Sequence, residues 1–258
     1  MGNKNTINNN DENEGYDFEV INNFLKKAIL CTCKIILESK SGMGFFCKML
    51  LGRNKELVKL LFTSYQILTE DILLSSNDII IEYNNNNIIL SKKHRKIYYN
   101  ATLDYSCIEI LDDDHISNFY YIDEPNLEKD FNPNCYLDQF IITFGLLNSS
   151  KIGLYNGLIK SIDNKTFIYK SSAFPGCSGG VILNPNSDCI VGLHLLKTEN
   201  IEKNENDLNS NVGIFMWNII DDINNKINST ITKEMMINEE DDIIDKIIIE
   251  CSKEVVEQ

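Results

Sequence analysis

Short apolar runs separated by polar turn residues extend along most of this 258-residue chain. In the N-terminal half they cover residues 29–37, 41–50, 57–64, 78–83, 87–91 and 102–111. In the C-terminal half they cover residues 139–145, 153–162, 166–171, 179–184, 189–196 and 211–217. Short strands at such regular spacing predict an all-β fold, built as paired barrels or as a sandwich.

Three further segments have apolar residues at helical spacing, namely 16–28, 215–227 and 231–258. The last of these is acidic and amphipathic, and we expect it to dock on its own domain or on a partner. The Asn-rich, acidic segment 1–15 predicts disorder. The polar stretch 112–134 predicts a connection between two halves of one domain that spans residues 16–230.

Charge and composition narrow the range of partners and cofactors. The net charge of −14 argues against nucleic acid and anionic lipid as partners, because an acidic protein repels both. The chain contains no run of about 18 apolar residues, so we predict no membrane span. The N-terminus is polar, so we do not expect it to be a secretory signal. We therefore predict a cytoplasmic or nuclear protein that is not secreted. No Cys-x-x-Cys pair occurs and the three histidines are far apart, so we predict neither a metal site nor a cofactor.

One stretch concentrates the backbone chemistry that the rest of the chain avoids. The chain has 13 glycines and 4 prolines, yet three glycines and one proline fall in Phe-Pro-Gly-Cys-Ser-Gly-Gly, residues 174–180. Glycines at this spacing let backbone N–H groups converge on one small volume, where they stabilise an oxyanion. In an α/β-hydrolase a helix would follow the serine. Here a strand, a turn and another strand follow, so the stretch is either the oxyanion loop of a double β-barrel peptidase or a tight turn with no chemistry.

Four segments carry a resemblance to a known family. The sequence SGMGFFCK at 41–48 is similar to a Gly-x-Gly-Phe strand, and LFTSYQIL at 61–68 is similar to the segment that bears a catalytic histidine. TLDYSCIEIL at 102–111 and FPGCSGGVIL with CIVGLHLL at 174–196 resemble the aspartate strand and the nucleophile loop. Over residues 28–228 the chain thus resembles the trypsin-like (chymotrypsin-fold) serine peptidases, especially the intracellular HtrA-like branch. The resemblance implies two six-stranded antiparallel β-barrels, at about 28–111 and 135–217, with N-terminal and C-terminal helices.

The resemblance also implies roles for individual residues. Ser178 matches the nucleophile and Asp104 the orienting acid, while the backbone N–H groups of Gly176 and Ser178 match the oxyanion hole. His194 matches a wall of the primary specificity pocket, where a histidine reads a Gln or Glu side chain. The same residue could equally be a core histidine with a satisfied hydrogen bond.

The position of the catalytic histidine is occupied by Gln66. An imidazole takes the proton of the serine hydroxyl and later gives it to the leaving amine. A side-chain amide cannot hold that proton near neutral pH. Loss of the base costs a serine peptidase on the order of 10⁶-fold in rate, as in subtilisin. His94 and His115 are interpreted as exposed surface histidines, and Cys177 as buried packing.

Three functions therefore stay open. The chain could be a catalytically impaired homologue, or pseudopeptidase, that binds peptide or protein in the former active-site cleft. It could be an active serine endopeptidase with a non-standard base, since Ser178, Asp104 and the glycine loop are all present. It could also be a scaffold or interaction protein that acts through the acidic helix predicted at 231–258.

Overall fold

The computed structural model describes residues 18–122, 132–147, 151–171, 176–185, 189–195 and 210–230. The predicted disorder at 1–15 and the predicted acidic helix at 231–258 lie outside these residues. Within the described residues, none of the helices is long and apolar enough to cross a membrane.

All twelve predicted strands are confirmed, although their ends shift by a few residues. The N-terminal half contains β1 (Thr32–Ile36), β2 (Ser41–Leu51), β3 (Glu56–Thr63), β4 (Ile79–Tyr83), β5 (Asn86–Leu90), β6 (Ile97–Asn100), β7 (Tyr105–Glu109) and β8 (Tyr120–Tyr121). The C-terminal half contains β9 (Phe140–Leu147), β10 (Lys151–Ile162), β11 (Thr166–Ser171), β12 (Val181–Asn184), β13 (Cys189–Leu195) and β14 (Ser210–Phe215).

Two strands were not predicted, because each is short. β6 has four residues, all half-buried, so it lacks a strict alternation of apolar and polar side chains. β8 has two residues and pairs in parallel with β2. The N-terminal half therefore forms an eight-stranded sheet in the order β5-β4-β1-β2-β3-β7-β6, with β8 beside β2, where six strands were expected.

The C-terminal half closes into a barrel of the six predicted strands, in the order β10-β11-β14-β13-β12-β9. Every pairing in this barrel is antiparallel. Together the two halves form the all-β, chymotrypsin-like two-barrel architecture that the sequence predicts.

Helices are few in the described residues. α1 (Phe18–Leu30) corresponds to the helical segment predicted at 16–28, and it ends two residues before β1. α2 (Glu70–Leu74), a five-residue helix, was not predicted. A third helix, α3, covers residues 216–230 and confirms the segment predicted at 215–227.

The largest hydrophobic core lies between the two halves and fixes how they face each other. Phe45 and Phe62 of the first sheet stack with ring centroids 5.6 Å apart, and both belong to this core. Phe144 and Leu193 of the barrel and Ile220 of α3 enter the same cluster and are almost fully buried. Burying this much apolar surface holds the halves in one arrangement, and the candidate site lies where they meet.

Candidate functional site

Gln66 and Asp104 are joined by two hydrogen bonds. The Gln66 side-chain amide donates from Nε2 to Asp104 Oδ2 over 3.2 Å, and its backbone N–H donates to Oδ1 over 3.1 Å. Gln66 follows β3 and Asp104 precedes β7, and these two strands pair antiparallel. The pairing therefore brings a base position and a carboxylate together although 38 residues separate them in the chain.

Asp104 lies in the turn between β6 and β7 rather than within the predicted strand. Its φ of 50° is left-handed, a conformation that aspartate adopts more readily than most residues. Burial raises the pKa of Asp104 to about 6, while the hydrogen bonds from Gln66 and from the Tyr65 backbone act in the opposite direction. The hydrogen bonds from Gln66 therefore favour the ionised form of Asp104 against the effect of burial.

The Ser178 loop is held by backbone hydrogen bonds to both halves. Met43 N–H at the start of β2 donates to the Ser178 carbonyl over 3.0 Å. Gly179 N–H donates to the His194 carbonyl over 3.0 Å, and His194 N–H donates back to the Gly180 carbonyl over 2.8 Å. The nucleophile position thus lies on the seam between the first sheet and the barrel.

Gly179 shows why this loop requires glycine. Its φ is 84°, and a Cβ at this position would lie 2.2 Å from both the Met43 carbonyl oxygen and Thr63 Oγ1. Gly176 also has positive φ, at 106°. With these two conformations, the loop packs directly against the end of β3, only a few residues before Gln66.

Ser178 Oγ lies in this packed environment without a hydrogen-bond partner. Ser178 is 5% exposed, and among the described residues no atom hydrogen-bonds to its hydroxyl. Within the same residues, neither the Gly176 N–H nor the Ser178 N–H donates to another atom. These two amides are the ones that the resemblance assigns to the oxyanion hole.

His194 is buried on β13, and the phenol oxygen of Tyr169 on β11 contacts its Nδ1. Burial lowers the pKa of His194 to about 4, so the imidazole is neutral at pH 7. Burial also raises the pKa of Tyr169 well above its usual value, so the phenol keeps its proton. His194 therefore has the buried, hydrogen-bonded geometry of a core histidine. Tyr169 itself was missed, because nothing in the sequence relates the two residues.

The remaining candidates are two exposed histidines and one buried cysteine. His94 and His115 are exposed on loops of the N-terminal half, as expected. Cys177 is 1% exposed and packs against Gly145, where a Cβ would come within 2.0 Å of its Sγ. Among the described residues, no group of three or more His, Cys, Asp or Glu side chains is placed to hold a metal ion.

The comparisons with known proteins bear on the fold alone. No family model matches the chain, and no curated protein matches it. Among solved structures, it is similar to an inactive form of the Rv3671c protease of M. tuberculosis, with a TM-score of 0.54 and 11% identity over 81% of this chain and 94% of that one. It is also similar to Deg5, with a TM-score of 0.54 and 14% identity over 78% of this chain and 91% of that one. The chain thus shares the fold of these two proteins.

Proposed function

We propose that this chain is a catalytically impaired homologue of the trypsin-like serine peptidases that binds peptide in the former active-site cleft. The observation that best supports this proposal is the pair of hydrogen bonds from Gln66 to Asp104, at 3.1 and 3.2 Å. In this arrangement an amide occupies the place where a peptidase needs an imidazole.

The chemistry of the amide supports loss of turnover. Asp104 orients the Gln66 NH₂ group as it would orient an imidazole N–H, but the amide cannot accept the serine proton and carry a positive charge. In the described part of the chain, no imidazole or carboxylate hydrogen-bonds to Ser178 Oγ in its place. A non-standard base would have to be a group that does not hydrogen-bond to Ser178 Oγ in this structure.

The rest of the site supports binding. The Gly176 and Ser178 amides offer two donors for a peptide carbonyl, and His194 offers a selective contact for a side chain. We propose that the phenol O–H of Tyr169 donates to His194 Nδ1, which leaves the proton of the imidazole on Nε2. A neutral Nε2–H donates well to the amide oxygen of a glutamine. It provides no charge to compensate a buried glutamate carboxylate, so we propose preference for Gln over Glu.

The proposal predicts binding without turnover. Fluorescence anisotropy should show that a labelled peptide with a central Gln binds more tightly than the same peptide with Ala, and Tyr169→Phe should weaken this preference. A fluorophosphonate probe should label the wild-type protein at the same background rate as the Ser178→Ala variant. Rapid labelling together with cleavage of the Gln peptide would instead establish an active endopeptidase with a non-standard base.

A further inference from the structure

The turn that carries Asp104 is attached to α3 at both of its ends. The turn covers residues 101–104 and joins β6 to β7. Before the turn, the Asn100 side-chain amide donates to Asp222 Oδ1 over 3.1 Å. After the turn, the phenol of Tyr105 donates to Asp222 Oδ2. One carboxylate of α3 therefore binds the residue on either side of the turn.

Asn100 extends this contact into the turn itself. Its Oδ1 accepts hydrogen bonds from the backbone N–H groups of Thr102 and Leu103, over 3.0 and 3.1 Å. Because its Nδ2 donates to Asp222, the Asn100 side chain cannot rotate without breaking three hydrogen bonds. Asp104 follows Leu103 directly and has a left-handed φ of 50°, a conformation that persists only where the surrounding structure holds it.

Lys226 adds the opposite charge to this network. Its Nζ contacts Asp222 Oδ2 at 2.7 Å and donates to the Tyr99 carbonyl of β6 over 2.6 Å. Burial raises the pKa of Asp222, but the hydrogen bonds from its three partners outweigh burial and hold that pKa below its usual value. Burial and the bond to Asp222 raise the pKa of Tyr105, so the phenol keeps its proton and donates it. The carboxylate is thus ionised and bound by three donors at once.

α3 is fixed to the core, so a contact with it can hold a turn in place. Ile219, Ile220 and Ile223 are almost fully buried in the hydrophobic core between the two halves. Further along the helix, Asn224 Oδ1 accepts a hydrogen bond from the Gly52 N–H over 2.8 Å. The helix therefore offers a fixed support to which the turn is bound.

We infer that Asp222 is a positioning residue, which orients Asp104 through the two ends of its turn. Asp104 in turn orients the Gln66 side chain through the hydrogen bond at 3.2 Å. The inference deepens the proposed function and rests on it, because Gln66 there belongs to the cleft that binds peptide. The geometry of this cleft is then coupled to the docking of α3 through a contiguous series of hydrogen bonds.

The side-chain NH₂ group of Gln66 reports on this arrangement by nuclear magnetic resonance. In a ¹H–¹⁵N spectrum of the full chain, its two signals are those that are absent from Gln66→Met. Asp104→Gly, which tolerates the left-handed backbone, gives the position of these signals without the carboxylate. We expect Asp222→Asn to move them at least about half of the way to that position, because an amide turns donors towards the donors of the network.

Two further variants separate the positioning role from general stability. Tyr105→Phe removes one of the three donors and should move the Gln66 signals by a smaller step in the same direction. Asp221→Asn changes the neighbouring, exposed carboxylate of α3, whose hydrogen bond goes to Asn225 within the helix. This variant should leave the signals unchanged. Thermal unfolding of each variant sets the temperature at which the folded proteins are compared.

The Gln66 signals decide the inference. A loss of thermal stability in Asp222→Asn with unmoved Gln66 signals would overturn it, because Asp222 would then only stabilise the fold. If Asp222→Asn does not fold, unmoved signals in Tyr105→Phe would overturn it in the same way.

Peptide binding measures the consequence for the proposed function. By fluorescence anisotropy, Asp222→Asn should bind the labelled Gln peptide about threefold or more weakly than Asp221→Asn does. Equal binding by these two variants would overturn the coupling between α3 and the cleft. Failure of the wild type to bind the peptide would overturn the proposed function, whereas the Gln66 signals would still decide the role of Asp222.

Discussion

Gln66→His should restore the missing base, and the structure allows the gain to be bounded. The Gln66 side chain already reaches Asp104 Oδ2 at 3.2 Å, so an imidazole at this position would donate to the same carboxylate. Restored general acid–base catalysis contributes about 10²–10⁴-fold. Full recovery of the triad would give on the order of 10⁶-fold, or about 8 kcal/mol of barrier at 1.36 kcal/mol per tenfold.

Two assays measure the gain. Fluorophosphonate labelling reports the nucleophilicity of Ser178, and release of p-nitroaniline from a peptide anilide ending in Gln reports turnover. Both rates should rise by at least about 10²-fold in Gln66→His and return to background in the double variant with Ser178→Ala. Activity should also rise with pH as the new histidine loses its proton, because only the neutral imidazole acts as a base.

A matched substitution isolates the role of the base. Gln66→Asn shortens the side chain without adding a base, so it should lose the contact to Asp104 and gain no activity. A folded Gln66→His protein that labels no faster than the wild type would refute the reasoning. The amides of Gly176 and Ser178, or the Ser178 hydroxyl itself, would then be unable to support acyl transfer even with a base in place.

The remaining predictions concern stability. Gly179→Ala should destabilise the fold by about 3 kcal/mol or more in urea unfolding, because its Cβ would overlap the Met43 carbonyl and Thr63 Oγ1 at positive φ. Ser178→Ala should change stability by less than about 1 kcal/mol, because it removes a buried hydroxyl that has no partner. His194 has a folded-state pKa of about 4, below its unfolded value, so protons bind the unfolded chain first as pH falls from about 6.5 to 4. The wild type should therefore lose about 3 kcal/mol of stability in that window relative to His194→Phe, as measured by urea unfolding at several pH values.

The positions of the site segments along the chain could be predicted from sequence, because each segment consists of a short run of neighbouring residues. The glycine loop at 176–180 is a turn that few other residues could form, and Gln66 and Asp104 each stand next to an apolar strand. Their meeting follows from the β3–β7 pairing, which the structure shows.

The contacts that tune the site could not be predicted, because they depend on strand order and on register. Tyr169 and His194 lie on β11 and β13, and β14 lies between those strands in the barrel. Only the closed barrel brings the phenol to the imidazole. Lys40 presents a similar case, since its contact with Gln66 crosses from the turn after β1 to the end of β3.

The preserved loop is not by itself a sign of preserved catalysis, because the same residues stabilise the fold. The Ser178 carbonyl accepts a hydrogen bond from Met43, and Gly179 fits against Thr63 with no room for a side chain. Both contacts join the barrel to the first sheet, so the glycine loop stabilises the fold whether or not the site is catalytic. Among the described residues Gln66 makes no hydrogen bond to the barrel, but its amide contacts Asp104 in the turn before β7. Under the proposed function, a glutamine at this position lacks the proton acceptor that a histidine would supply, while it keeps the hydrogen bonds to Asp104.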